Sequence, residues 1–341
     1  MKTKKLLALL MTVTLSVLLL TNYGGSAASA ASSDSICFVV GYAAQGENAT
    51  TRAIKKWKEI LEEKSGKTMT MELYLDGSLG SQSDVINSMQ LGEKAITVAD
   101  GALLAEYGAK DMGILFAPYL FTDWDQIWKL VESDWFTSQN DVLRKNGLTM
   151  IAANWALGER NLCLTKPVEH PADLAGMKIR VPDNQIQIEG TNAIGSTATP
   201  LPMSDVYQAL ETKMIDGCEN VNDTLLGMHW CEVGKYVYED NHIYNMAIWI
   251  CSSDVFDSLT AEQQKWLLES GVEAGLYNNK VQAELADATR QTMINDYGVT
   301  FIECSDEDKA ELIRMCESFY ANGSKFGWSD GLYETINSII Q

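Results

Sequence analysis

Gly176-Met177-Lys178-Ile179-Arg180-Val181-Pro182 reads as a short strand, opened by a glycine and closed by a proline, with one arginine near its far end. A guanidinium presents a rigid planar fork of donors that matches a carboxylate two for two. A strand end that opens into a cleft holds such a fork still. Most arginines instead sit on the surface in exposed ion pairs that contribute little. Arg180 is set apart by its surroundings. The chain has only six arginines, and another of them, Arg160, precedes it across Pro167, Pro171 and the turn Asp173-Leu174-Ala175-Gly176. Two adjacent strands would bring both guanidinium groups to one cleft.

Toward the N-terminus, Ile36-Cys37-Phe38-Val39-Val40-Gly41 is a short apolar strand followed by the polar loop Gln45-Gly46-Glu47-Asn48. Ile54, Trp57, Ile60 and Leu61 then share a helical face, and Met69, Met71, Leu73 and Leu75 alternate as a second strand. The turn Asp76-Gly77-Ser78-Leu79-Gly80-Ser81 leads to a helix with Val85, Ile86 and Met89 inward, and Ala95–Ala99 is a third strand. This alternation predicts a parallel sheet with helical crossovers. Ligands in such sheets sit beyond the carboxyl ends of the strands. Gln45, Gln82 and Asp100 fall there and are candidate contacts; the plain alternative is solvated loop residues.

Toward the C-terminus, Asp123–Lys145 is helical, Thr149–Ala153 is a strand, and Gly158–Thr165 leads into a second lobe. Asn184–Ala193 is a helix, Thr199-Pro200-Leu201-Pro202 is extended, and Ser204 is expected to cap a helix through Leu210. Asp216-Gly217 turns into Glu219-Asn220, and Ile243–Cys251 is an apolar strand returning to the first lobe. Thr260 and Gln263 form a capping box before a helical pattern that runs to about Tyr297. Unbroken, it would be roughly 55 Å long, longer than one lobe, and so a spine across both. Val299–Ile302 is a last strand, with helix from Asp306. The expected architecture is α/β, two lobes each with a mostly parallel sheet flanked by helices and a long helix bracing both. The expected division is a leader over 1–30, lobe I over 31–157 plus 246–285, and lobe II over 158–245 plus 286–341.

The leader is read from Lys2, Lys4 and Lys5, the uncharged apolar run Leu6–Leu20, and small residues with an A-x-A site at Ala28–Ala30. That is a secretory signal peptide cut after Ala30; a retained anchor is the alternative, but the run is short for a span. Removing those three lysines and no acid takes the formal charge from −20 to −23. Such acidity argues against a nucleic-acid partner, whose binding rests on basic residues neutralising phosphates. An anionic ligand must then be held by a local basic site against the overall field. None of the seven cysteines has metal-ligand spacing, and His170, His229 and His242 are scattered, so no metal is implied. Cys37, Cys163 and Cys251 lie in strand-like runs and are expected to be buried; a disulfide pairing stays open.

The spaced set Gly158, Arg160, Pro167, Pro171, Asp173, Leu174, Gly176, Lys178, Arg180 and Pro182 can now be joined to further segments. These are Thr199-Pro200-Leu201-Pro202, Val206-Tyr207-Gln208-Ala209-Leu210, Asp216-Gly217-Cys218-Glu219-Asn220, Gly80 and Phe256-Asp257-Ser258-Leu259. On these residues nearly the whole mature chain resembles the extracytoplasmic solute-binding subunit of tripartite ATP-independent periplasmic (TRAP) transporters, the DctP-like family. The resemblance implies a periplasmic-binding-protein-like fold with two lobes around a cleft. It implies that Arg180 pairs with a ligand carboxylate, that Arg160 assists, and that Asn220 contacts the same end. Met203 would pack on the ligand where the family often has an aromatic residue, and Cys218 stands where a polar side chain is common. Trp155 completes the candidate contacts. The implied role is capture without chemistry by an exported, periplasmic monomer, with TRAP membrane subunits as partners and no cofactor.

An exported enzyme is the competing class. No G-x-S-x-G, H-E-x-x-H, P-loop or dinucleotide fingerprint occurs, although a glycosidase needs only two carboxylates and no local motif. A ligand-sensing partner of a membrane receptor would share the fold and is not separated from transport by sequence. For the ligand, Gln45, Gln82, Asp100 and Asp183 suit a hydroxylated tail, which favours a sugar acid such as a uronate or aldonate. A C4-dicarboxylate, the alternative, would want a second cation opposite Arg180 and would be repelled by Asp100.

Overall fold

In the computed structural model, residues 35–43 and 46–341 are described; the leader and Gln45 lie outside them. β1 (Ile36–Gly41), α1 (Ala49–Lys64), β2 (Met69–Tyr74), α2 (Gln82–Gln90) and β3 (Ala95–Ala99) follow the expected alternation. Side chains fix the helix starts. Asn48 with Thr51 forms a capping box at α1, and Ser81 with Asp84 does so at α2, each satisfying backbone N–H groups that the first turn leaves free. β1 pairs in parallel with both β2 and β3, as helical crossovers require. α3 (Gly101–Glu106), α4 (Trp124–Val131) and α5 (Asp134–Lys145) follow, α5 starting where the Ser133 hydroxyl accepts from Phe136 N–H.

β4 (Leu148–Leu164) is one strand of 17 residues, where the sequence suggested two separate segments. Then come β5 (Lys178–Val181), α6 (Gln185–Ala193), β6 (Thr197–Pro200), α7 (Val206–Glu211), β7 (Gly217–Val221) and α8 (Asn222–Gly227). β8 (Tyr236–Ser252) is again 17 residues long. α9 (Ser253–Ser258), α10 (Ala261–Tyr297), β9 (Thr300–Glu303), α11 (Asp306–Met315), α12 (Glu317–Ala321) and α13 (Leu332–Ile340) complete the fold.

The strands form one sheet in the order β2-β1-β3-β8-β4-β7-β5-β6, with β9 added on β8. The two halves are therefore not separate sheets. β4 and β8 run antiparallel through the middle and serve both: β8 pairs with β9 through Tyr236–Glu239 and with β3 through Ile248–Cys251. Their ladder slips register four times, including between Ala156 and Gly158. Gly158 has φ +120°, a conformation that side chains disfavour, and such bulges bend and twist the strand that carries them.

α10 starts at the expected Thr260–Gln263 capping box and ends at Gly298, which has φ 67°. Its Leu267 and Ala274 pack with Trp57, Trp155 and Trp249 in the core of the first half, while Met293 packs with Val206, Leu225 and Trp230 in the second. The chain end departs from the expected division. α13, placed with lobe II by the sequence, buries Leu332, Ile336 and Ile340 with Ile127 and Leu130 of α4. Two local readings are also corrected. Ser204 does not cap a helix: it lies inside a 3-10 turn over Met203–Asp205, and its hydroxyl bonds Asp205. Cys37 is exposed rather than buried, because odd positions of β1 face outward, while Cys163 and Cys251 are buried as expected. All seven thiols are free. No described helix is long and apolar enough to cross a membrane.

Candidate functional site

A cavity of about 510 Å³ opens between the carboxyl end of β3 and the ends of β5 and β7, lined among others by Gln82, Asp100, Arg160, Arg180, Asp183, Met203 and Asn220. A neighbouring cavity of about 120 Å³ shares Gln82, Asp100, Arg160 and Met203 and adds Tyr42 and Asn245. Together they are the size of a small-molecule site. All the described sequence candidates but one thus line a single cleft. The exception is Trp155. Its ring is fully buried, centroids 5.7 Å from Trp57 and 5.1 Å from Trp249, and its indole N–H donates to the Gly271 carbonyl at 2.9 Å. Trp155 is a core residue that anchors α10 on β4, and its expected ligand contact is corrected accordingly.

The two arginines differ in what they are already bound to. Arg160, on β4, is closed on both sides by Glu219: Nε donates to Oε2 at 2.5 Å and Nη2 to Oε1 at 2.6 Å, with both side chains buried. Its Nη1 donates to Asn220 Oδ1 at 3.2 Å, and its guanidinium lies 5.1 Å from the Phe116 ring centre. Arg180, on β5, is held by a neutral group instead. Its Nε and Nη2 donate to the Leu201 carbonyl at 2.9 and 2.7 Å, and the guanidinium stands 6.0 Å from the Trp230 ring. No acidic side chain pairs with it among the described residues, and only 3% of it is exposed. Burial lowers its pKa, with the charge of Glu219 acting the other way. Nη1 of Arg180 has no hydrogen-bond partner among the described residues. Asn220 uses its Oδ1 for Arg160 and for Val221 N–H, which leaves its NH2 group to donate.

Behind Arg160 runs a buried chain of alternating charge that sequence reading missed. Glu219 Oε2 meets His242 Nε2 at 3.3 Å, His242 Nδ1 meets both Asp240 oxygens at 3.0 Å, and Tyr119 OH donates to Asp240 at 3.0 Å. Burial drives Glu219 upward, yet the charge of Arg160 and hydrogen bonds from His242 and Arg160 outweigh it and hold Glu219 at about 2. Burial drives His242 downward, and Asp240 and Glu219 outweigh that to raise it to about 9. The two carboxylates that flank His242, Asp240 and Glu219, both favour its protonated form. Glu219 was in view beside Asn220 in the sequence, but nothing local tied it to the scattered His242.

The opposite wall is acceptor-rich. Asp100 caps α3 by accepting from Leu103 N–H at 2.8 Å; burial raises its pKa above the ordinary carboxylate value, and that bond and the charge of Arg160 offset this only in part. Gln82 is the first residue of α2 and donates through Nε2 to the Val98 carbonyl at 2.9 Å. Asp183 is exposed at the rim, and Met203 is half-buried. Asn184 bridges the cleft, capping α6 with Oδ1 and donating through Nδ2 to Glu106 at 2.7 Å and to the Ala102 carbonyl at 3.2 Å. No group of three or more metal-ligating side chains occurs among the described residues.

The sequence pattern of the family described as "Bacterial extracellular solute-binding protein, family 7" (DctP) matches residues 40–325. The chain belongs to this family. Among solved structures, a TRAP periplasmic solute-binding protein from Ochrobacterium anthropi with bound L-fuconate aligns with TM-score 0.84 at 32% identity, covering 90% of this chain and 99% of that one. The 2,3-diketo-L-gulonate-binding periplasmic protein YiaO of Escherichia coli is 28% identical, over 72% of this chain and 74% of its own length. The C4-dicarboxylate-binding periplasmic protein DctP of Rhodobacter capsulatus is 26% identical, over 75% and 76%. As a DctP-family protein, the chain is a TRAP solute-binding protein with the two-lobed architecture expected from its sequence. The family is periplasmic, takes small organic acids, works with TRAP membrane components and is not a family of enzymes.

Proposed function

We propose that this DctP-family protein captures a sugar acid, an aldonate or uronate, by pairing its carboxylate with Arg180 and closing two lobes around it. The observation that carries this reading is the buried guanidinium of Arg180, fixed by the Leu201 carbonyl and lining the cavity with no acidic partner among the described residues. A buried charge without a counter-ion is unfavourable, so the site gains most from an anion with two coplanar oxygens. Asn220 donates to the same carboxylate, Arg160 supports that end, and Met203 packs on the ligand.

The remainder of the ligand lies toward Gln82, Asp100 and, at the rim, Asp183, all of which accept from hydroxyls; Gln45 belongs to the same proposed group. A second carboxylate would meet Asp100, and Arg160 is already neutralised by Glu219. This argues against the C4-dicarboxylate reading that the Rhodobacter relative supports, and with the L-fuconate and diketogulonate relatives for a hydroxylated acid. The proposed protein is exported after cleavage behind Ala30 and works as a monomer, without nucleic acid and without turning over its ligand. Lobe I comprises 31–157 and 246–285, lobe II 158–245 and 286–341, with α13 packed back on lobe I. A thermal-shift panel of aldonates, uronates and C4-dicarboxylates tests this. A sugar acid at about 100 times its Kd should add roughly 2.7 kcal/mol of stability; stabilisation by succinate or malate alone would replace the ligand assignment.

A further inference from the structure

We propose that Asn245 reads the hydroxyl groups of the ligand and so separates polyhydroxylated acids from acids of the same length without hydroxyls. The inference rests on the carboxylate-capture reading above and adds to it a residue that sets selectivity in the cavity shared with Gln82 and Asp100.

Asn245 lies on β8 opposite Gly158 of β4, in the part of the ladder that serves both halves of the molecule. It opens onto the cavity that holds Gln82, Asp100, Arg160 and Met203. Only 6% of it is exposed, and its Oδ1 is buried with no hydrogen-bond partner among the described residues. The residues after it on the strand, Met246 through Cys251, are all apolar and buried, so sheet packing alone would be better served by an apolar side chain. A buried polar group without a partner costs about 1–3 kcal/mol, and buried polar groups in folded proteins are almost all paired. The missing partner of this amide comes from the cavity.

The chemistry of that partner follows from its neighbours. The Asp100 carboxylate only accepts, and Gln82, with Nε2 spent on the Val98 carbonyl, offers its carbonyl oxygen. An amide both donates and accepts. The group that satisfies all three is a chain of hydroxyls, each able to donate toward Asp100 or Gln82 and to exchange a hydrogen bond with Asn245. A methylene chain leaves the amide unpaired. A second carboxylate brings a negative charge to Asp100 with no free cation beside it.

The test is titration calorimetry of the mature protein with L-fuconate, galactonate and D-glucuronate against hexanoate, for wild type, Asn245→Leu and Asn245→Ala. Each substitution is expected to weaken the preferred sugar acid by about 10- to 100-fold and to leave hexanoate unchanged or tighter. The melting temperature of the ligand-free protein should hold or rise, since an unpartnered amide has been removed. An unchanged ratio of sugar acid to hexanoate affinity in both variants overturns the role of Asn245. So does a ligand-free melting temperature that falls in both, which marks a structural residue. If wild type binds none of the acids, the capture reading fails and the inference falls with it, an outcome already visible before any variant is made.

Discussion

Two buried guanidinium groups face one cleft, and their partners give them opposite roles. Arg160 is half of a bidentate pair with Glu219, so Arg160→Ala strands a buried carboxylate and should cost about 3–5 kcal/mol in a urea titration of the ligand-free protein. Arg180 has no such partner, so Arg180→Lys should leave unfolding unchanged but weaken the ligand about 100-fold by calorimetry, because Lys keeps the charge and loses the fork. Equal affinity in Arg180→Lys would remove this residue from the site; a larger binding loss in Arg160→Lys would reverse the ranking. The charge chain behind Arg160 also sets a pH window. His242, raised from 6.5 to about 9, contributes its full stability below about pH 6.5 and loses it as pH climbs to about 9. Glu219, lowered from 4.5 to about 2, contributes fully above about pH 4.5 and loses it as pH falls toward about 2. Stability should therefore peak between about pH 4.5 and 6.5, and His242→Gln should flatten the alkaline decline; an equally steep decline in that variant would place its source elsewhere. Arg180 and Arg160 stood out locally as scarce arginines across a proline-spaced turn, Asn220 entered only through the family resemblance, and all three line the cleft. Glu219 with His242, the orphaned amide of Asn245 and the core position of Trp155 were not legible in sequence, since each is decided by a partner far along the chain.

Among the elements, the short strands and the helix opened by Thr260 and Gln263 were the easiest to read, because a capping box or a period-2 pattern is a local signal, whereas the lone Ser204 was misread as a cap. β4 was not easy to read. Its middle, Asn154-Trp155-Ala156-Leu157-Gly158-Glu159-Arg160, carries polar residues and a glycine that imitate a loop, and only pairing along β8 with repeated register slips makes it a strand. The continuous sheet through β4 and β8 was hidden for the same reason. α10 was legible from its capping box and length, although it carries two glycines, Gly271 and Gly275, which weaken a helix. The structure gives one of them a reason: a Cβ on Gly275 would stand 2.6 Å from Trp155 Cδ1 and 2.5 Å from Asn154 Oδ1. α10 lies on β4 at a separation that only glycine allows there. Gly275→Val should therefore destabilise by about 1–3 kcal/mol through overpacking, despite the helical gain expected on an exposed helix. A urea midpoint equal to wild type would mean the two elements can separate without loss.

Because β4 and β8 belong to both halves, more than one connection joins the halves among the described residues, and a closing motion has to bend these two long strands, whose ladder is irregular near Gly158. Closure of this kind is the ligand-driven motion of periplasmic binders, and the cleft carries a contact suited to stabilising it. Asn184, at the start of α6, donates to Glu106 at the end of α3 and to the Ala102 carbonyl, joining one half to the other beside the ligand cavity without reaching Arg180. Glu106 is exposed, and a hydrogen bond in such a setting contributes about 0.5–1.5 kcal/mol. If it forms only when the halves meet, its loss penalises the closed state alone, and the ligand must supply the difference. Glu106→Ala spares the cap on α6, which Asn184 provides through its other amide atom. This variant should weaken ligand binding by about two- to tenfold, mainly through faster dissociation, and should raise the radius of gyration of the ligand-free protein in small-angle scattering. Unchanged dissociation together with an unchanged radius would show that the bridge persists in the open form and has no part in closure.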